Sequence, residues 1–328
     1  MKRICKVLFF VFFFFAAAVF SQNYTEVDNK VKAYPKFANV SALGYRIMND
    51  FDDDTERVRA AFSWITNNMI YQRTLDDIFQ SSHKITFTSE AGREYQMRKL
   101  VLKRINHAFK KKKGVCIDYS LILHELCRQF GLKRKVILGI AKTDIGNIDQ
   151  RDLYKNHSWN AVKIEGQWRL MDPTWASGYI DIKSNKFVRN FLDHYFFTDP
   201  AEFVKHHLPS KPEWQLLKEP ISAKTFFNAP IFLPDYFKTG IALSSATSGI
   251  LKSSKKSKNI IHFDELPRYH LMFYSINGSD ELKKLNFKKV DKSAYISKIR
   301  LRRKLKKNTN YLTIFHKSKA ILNFKIEQ

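Results

Sequence analysis

The chain has 328 residues, of which 44% are hydrophobic, and a formal net charge of +26. That length suits two domains rather than one core, and the hydrophobic fraction excludes an intrinsically disordered chain. The charge excludes an acidic surface and favours anionic partners: lipid headgroups, acidic polysaccharide or nucleic acid.

In chain order, Lys2, Arg3 and Lys6 precede a continuous apolar run of 14 residues, Val7–Phe20. This pattern predicts a signal peptide over residues 1–21, with Val19 and Ser21 read by the peptidase and the cut before Gln22. The run is short for a membrane span. No cysteine follows it to take a lipid, and no later apolar stretch is long enough to cross a bilayer. The expected location is therefore periplasmic or extracellular, where nucleic acid is not an expected partner. Cleavage removes Cys5 and leaves Cys116 and Cys127. On one helix they stand roughly 16 Å apart, and a disulfide needs Cα atoms within about 7 Å. Two separate thiols are expected, and keeping a free thiol in an oxidising compartment favours a use for one of them.

Residues 22–109 read as mainly helical. Asp52, Asp53 and Asp54 lead into Thr55, the expected cap, and Val58, Ala61, Phe62 and Ile65 follow at helical spacing. A polar connection covers Gln80–Gly92. Cys116–Phe130 is the next helix, with Tyr119, Ile122, Leu123, Leu126, Cys127 and Phe130 on its apolar face and Gly131 at its end. Lys135–Ile140 reads as a buried strand, followed by a polar loop to Asn156. A hairpin follows, His157–Ile164 and Gln167–Met171, turning at Glu165-Gly166. Residues 172–220 are irregular, aromatic and rich in proline. Beyond Pro220, stretches such as His270–Ile276, Tyr311–Phe315 and Ile321–Ile326 point to a second, all-β domain of sandwich type. Residues 221–328 carry 22 Lys/Arg against 7 Asp/Glu, which suits an anionic cell-surface polymer or membrane surface, or simply a solvated basic face.

Several residues in the middle of the chain carry chemistry. Cys116 follows Lys110–Lys113 and Gly114 and opens a helix. The positive helix end and the lysines favour thiolate, the free backbone N–H groups can bind an oxyanion, and Gly114 admits a substrate closely. The plain alternative is a small buried hydrophobe, which fits Cys127 better. A thiolate nucleophile calls for an imidazole. With a two-residue turn at Glu165-Gly166, Trp159 faces Asp172, so His157 and Asp172 share a face as a diagonal pair. Asp172 can then fix the His157 tautomer. Alternatively, His157 is an ordinary strand histidine and Asp172 a turn residue before Pro173. Trp159, Trp168 and Trp175 either floor a groove or pack a core, and Trp159 and Trp175 are the substrate-binding candidates. Asp118 is expected to cap the helix start or to order the site. His206-His207, and Cys116 with Cys127 and His124, lack a matching ligand set, so no metal or cofactor is expected.

The blocks GVCIDYSLILHELCRQFGLKRKVILGIAK and HSWNAVKIEGQWRLMDPTWASG resemble the transglutaminase-like cysteine-enzyme superfamily. Its order is Gly-x-Cys on a helix, His-x-Trp-Asn on a strand, then Asp-Pro-Thr-Trp. HYFFTDP and HLPSKPEWQLL resemble the branch of the kyphoscoliosis peptidase. The resemblance covers about residues 55–220. It implies an α+β, papain-like core, placed over 110–220, between the helical lead-in over 22–109 and the basic β-sandwich over 221–328 that the pattern predicts. It also implies a Cys-His-Asp triad, here Cys116, His157 and Asp172, that forms an acyl-thioester from an amide. Hydrolysis of a protein or peptide substrate is the expected outcome. Transfer to an amine, or a non-catalytic binding module of the same fold, are the alternatives. There is no acidic calcium loop, so calcium dependence is not expected.

Overall fold

The computed structural model describes residues 24–72, 87–150, 154–181, 184–254, 258–301 and 310–327. The expected signal segment and cleavage site lie outside these, as does the first part of the Gln80–Gly92 connection. Among the described residues no helix is long and apolar enough to cross a membrane.

The lead-in is helical: Thr25–Lys32, Val40–Asp50, Asp54–Asn68 and Glu90–Lys111. The third helix is capped by Asp53, whose carboxylate accepts from the Glu56 N–H at 2.9 Å. This corrects the expectation of Thr55, which sits one residue inside the helix. The aspartate wins because its charge also meets the positive helix end. This helix is buried continuously from Val58 to Thr66, as a central helix is when neighbours cover it on all sides. Its buried Arg59 pairs with Asp28 at 2.6 Å and also contacts Asp193, so a charge that needs partners clamps the N-terminal helix and a distant loop onto the core.

The Cys116–Gln129 helix buries Tyr119, Ile122, Leu123, Leu126 and Cys127, the face its spacing predicts. It stops at Phe130, and Gly131 turns away at φ +77°. Beside it lies an antiparallel sheet in the order Gln167–Met171, His157–Ile164, Arg134–Ala141, His207–Pro209. Glu165 and Gly166, both at positive φ, make a tight two-residue turn. The register follows: Ile164 faces Gln167 and Asn160 faces Met171. The strand ends there, because Pro173 cannot continue a ladder and Asp172 instead caps a short helix, Pro173–Ser177. The segment after it is less irregular than its composition suggests, and holds a small hairpin, Gly178–Asp181 with Lys186–Arg189.

Residues from Ile231 onward form two packed sheets. One runs Ala242–Leu243, Asn259–Glu265, Tyr295–Ile299, Phe287–Lys289. The other runs Ile250–Lys252, Lys319–Glu327, Asn310–His316, Met272–Ile276, Lys283–Lys284, with Ile231–Phe232 paired to Lys319–Glu327. Ile261, Phe263 and Ile299 of the first meet Met272, Leu312, Ile314, Leu322 and Phe324 of the second in a core of their own. Both sheets end on lysine-bearing edge strands, Lys288-Lys289 and Lys283-Lys284, which discourage pairing with other chains. The segment that leads into the sandwich is held to the first unit by a buried lysine. Lys142 Nζ donates to the carbonyls of Phe226 at 2.6 Å and Ala229 at 2.8 Å, and burial pulls its pKa down to about 7.

Candidate active site

The start of the Cys116 helix is held by a reciprocal arrangement. Asp118 Oδ2 accepts from the Val115 N–H at 2.9 Å, and Oδ1 accepts from Arg104 at 2.6 Å. Gly114 is required by that carboxylate: a Cβ there would stand 2.7 Å from the Asp118 side chain. The space expected for a substrate at Gly114 is therefore taken by Asp118. Cys116 itself stays partly exposed.

The neighbouring strand brings His157 to the thiol. Cys116 lies within hydrogen-bonding reach of the His157 ring and of Ser158. On its other side His157 Nε2 donates to Asp172 Oδ2 at 2.6 Å. Asp172 is fully buried, and its Oδ1 accepts from the backbone N–H groups of Thr174 at 2.8 Å and Trp175 at 3.1 Å. The same residue thus ends the strand, caps the next helix and holds the histidine. The two roles that the sequence leaves as alternatives are both present.

Electrostatics follow from this geometry. Burial alone pushes the Cys116 thiol up, but the hydrogen bond and charge of His157, with Ser158, bring it below the ordinary thiol value. Burial alone disfavours the His157 cation, but Asp172 and Cys116 raise its pKa to about 10. Burial also opposes ionisation of Asp172, yet His157 and His207 hold its pKa far below the carboxylate range. A thiol lowered beside an imidazole raised favours the thiolate–imidazolium form of the pair. Of the lysines before Cys116, expected to lower the thiol, Lys112 is directed elsewhere. Lys112 ends the preceding helix in the left-handed region, and its Nζ donates to Asn68 at 3.1 Å. Cys127 is buried in apolar surroundings, which push its thiol up to about 12.

Trp159 is fully buried, so it cannot floor a groove. Its ring packs 5.0 Å from His207 and 6.1 Å from His157. Trp175 is half-buried and stands 5.6 Å from His157 and 4.6 Å from His207, where it can still line an approach. Trp168 is remote and packs on Trp214. His207, rejected as a metal ligand on sequence, lies against the site: its Nε2 is 3.0 Å from Asp172 Oδ2. His157, Asp172 and His207 have the donor types of a metal site, with ligand atoms within 4.8 Å of one another. In this arrangement those atoms bond to each other. Ser158 and His207 escaped sequence reading. Ser158 is signalled only by adjacency to His157. His207 depends on a strand pairing with Gly139–Ala141, which no local pattern specifies.

Residues 41–173 match the family model described as the Transglutaminase-like superfamily, a span that contains Cys116, His157 and Asp172. The kyphoscoliosis peptidases of Mus musculus and Homo sapiens are 26% and 25% identical over 246 and 271 residues, which is 74% and 82% of this chain and 34% and 38% of theirs. Hillarin of Drosophila melanogaster is 28% identical over 201 residues, 57% of this chain and 22% of its own length. The chain thus matches little more than a third of the length of those peptidases.

About one unperturbed thiol in thirty is ionised at pH 7, so an ionised Cys116 is expected to react with iodoacetamide roughly tenfold faster than free cysteine, after allowing for its lower nucleophilicity. The rate should reach its plateau below the ordinary thiol range. His157→Ala should return it to ordinary behaviour, and Cys127 should label only on unfolding. Mass spectrometry of each cysteine against pH reads all three.

Proposed function

Since residues 41–173 make this chain a member of the transglutaminase-like superfamily, in the branch of the kyphoscoliosis peptidases, we propose that it is a cysteine enzyme that hydrolyses amide bonds in proteins or peptides. The observation that carries this reading is the half-exposed thiol joined through His157 to a buried carboxylate. The Cys116 thiolate attacks the amide carbon. The oxyanion that develops faces the first N–H groups of the helix, which have no partner within it. His157 gives its proton to the leaving amine as the C–N bond breaks, leaving an acyl-thioester and a neutral imidazole. That imidazole takes a proton from water, whose oxygen attacks the thioester. The acid leaves and the proton is returned to the Cys116–His157 pair. Asp172 stays ionised and holds the ring throughout.

Export supplies the setting for this reaction. The basic start and apolar run at Val7–Phe20 support it. We propose that the sandwich then holds the enzyme to an anionic lipid surface. At one end of it, Tyr269, Leu271 and Val290 are 79%, 55% and 52% exposed. Exposed Arg268, Lys288, Lys289 and Lys292 flank them, with Asp291 as the acid on the same turn. The His270 ring, packed on Phe287 at 5.1 Å and Tyr295 at 5.6 Å, gathers these loops at one end. Apolar side chains ringed by lysine suit a bilayer with anionic headgroups.

A peptide library read by mass spectrometry tests the reaction. Cleavage is expected with the wild type, none with Cys116→Ser, and a loss on the order of 10⁴-fold with Asp172→Asn. Excess fluorescent primary amine should leave the acid product dominant. Amine-capped product instead would establish acyl transfer. Sedimentation with vesicles containing phosphatidylglycerol tests the surface. Each basic residue contributes about 1 kcal/mol there, so Lys288→Gln with Lys289→Gln should lower binding roughly thirty-fold. Equal binding by both proteins, or binding only to soluble acidic polysaccharide, contradicts the lipid assignment.

A further inference from the structure

Beyond the three residues that do the chemistry, a second series of buried groups leads into Asp172 from the side opposite His157. Tyr195 Oη lies 3.2 Å from His206 Nε2. His206 Nδ1 lies 2.8 Å from His207 Nδ1. His207 Nε2 lies 3.0 Å from Asp172 Oδ2, the oxygen that also accepts the hydrogen bond from His157 Nε2. Asp172, His206 and His207 are 0–1% exposed and Tyr195 is 2% exposed.

With both rings neutral, the proton directions in this series are set from the Asp172 end, because an ionised carboxylate can only accept. The His207 hydrogen facing that carboxylate is on Nε2, so His207 Nδ1 accepts from His206 Nδ1–H, and His206 Nε2 is left to accept from the Tyr195 hydroxyl. Every donor has an acceptor, and all run one way. Burial keeps both rings neutral, with His207 pulled down to about 4 and His206 lower than its ordinary value. The rings cannot turn to another arrangement. Phe203 stacks on His207 at 4.2 Å and 22°, Trp159 and Trp175 close its other sides, and Trp175 packs on His206 at 5.0 Å.

We propose that His207, locked as the Nε2–H tautomer by His206 and Tyr195, is a positioning residue that gives Asp172 a permanent second donor and keeps its Oδ2 charged and aimed at His157. This rests on the Cys116–His157–Asp172 reading of the site. The physical reason is the total burial of Asp172. With its other oxygen held by two backbone N–H groups, Oδ2 depends on His157 and His207 alone. Without His207, the proton between His157 and Asp172 moves toward the carboxylate, the imidazole loses cationic character, and the thiol becomes harder to ionise. His206 and Tyr195 act one step further back, by giving His207 Nδ1 a donor and so holding its hydrogen on Nε2.

The test is the pH profile of Cys116 alkylation in the full chain, for wild type, His207→Leu and His207→Gln, with thermal melting of each. His207→Leu is expected to move the Cys116 midpoint up by about one pH unit, a tenfold lower rate below it. His207→Gln, whose amide N–H reaches the position of Nε2, should restore most of the shift. A structural role alone would lower the melting temperature in both and move neither midpoint. Nitrogen NMR of the wild-type histidines provides a second reading that needs no variant: His207 should remain neutral, with its hydrogen on Nε2, across the range in which Cys116 titrates. Superimposable profiles for wild type and His207→Leu, or a His207 hydrogen on Nδ1, overturn the proposal while leaving the triad intact. A wild-type Cys116 that titrates as an ordinary thiol overturns both.

Discussion

The site depends on a carboxylate kept ionised where no water reaches it. A buried charge is costly unless hydrogen bonds meet it on every side. Asp172 has four donors: two backbone N–H groups of the helix that it caps, His157 and His207. Its own N–H is taken by the Tyr195 carbonyl at 2.9 Å, which fixes the backbone under it. Much of the first unit can be understood as the means to bring these groups together. The hairpin delivers His157 and Asp172, the fourth strand delivers His207, and the central helix, through Arg59 and Asp193, braces the loop that holds Tyr195.

The charge on Asp172 is felt at the surface through His157. The raised His157 pKa and the lowered Cys116 pKa are two views of one coupled pair. The pair also links ionisation to stability. A His157 pKa raised from its unfolded value to about 10 contributes stability that is present below the unfolded pKa and lost as pH rises through 10. For Asp172, depressed in the folded state, the contribution is present above the unfolded pKa and lost as pH falls. Both contributions are therefore complete between the two unfolded pKa values, from about 4 to about 6.5, and the His157 contribution declines above that range.

How much of this was legible depended on whether a contact was local in sequence. The Glu165-Gly166 turn sets a two-residue hairpin, and counting across it brings Asp172 to His157 from spacing alone. The 3.6-residue pattern from Tyr119 to Phe130 specifies which face of the Cys116 helix is buried and where it ends. The sandwich strands around Met272–Ile276 and Asn310–His316 are visible in their alternation. What stayed hidden is non-local. The fourth strand pairs residues 207–209 with 139–141, so the placing of His207, considered in the sequence only as a metal ligand and rejected, as a buried donor to Asp172 has no short-range signal. Trp159 looked like a groove residue because it neighbours His157, but its face is covered by Phe203 and His207. The lysine run before Cys116 was a clear local feature, yet the largest influences that lower the thiol come from His157 and Ser158. The sandwich is tied to this same region, since His194 stacks on Phe237 at 4.0 Å one residue from Tyr195. The second domain therefore packs against the far end of the buried donor series.

The central claim is that His157 carries the proton that Cys116 has given up. Nitrogen NMR of the His157 ring at about pH 8, well below its raised pKa of about 10, tests it most directly. The account predicts both ring nitrogens protonated in the wild type, with the cation lost at a lower pH when Cys116 is replaced by alanine. A neutral His157 at that pH, unchanged by removal of the thiol, would contradict it.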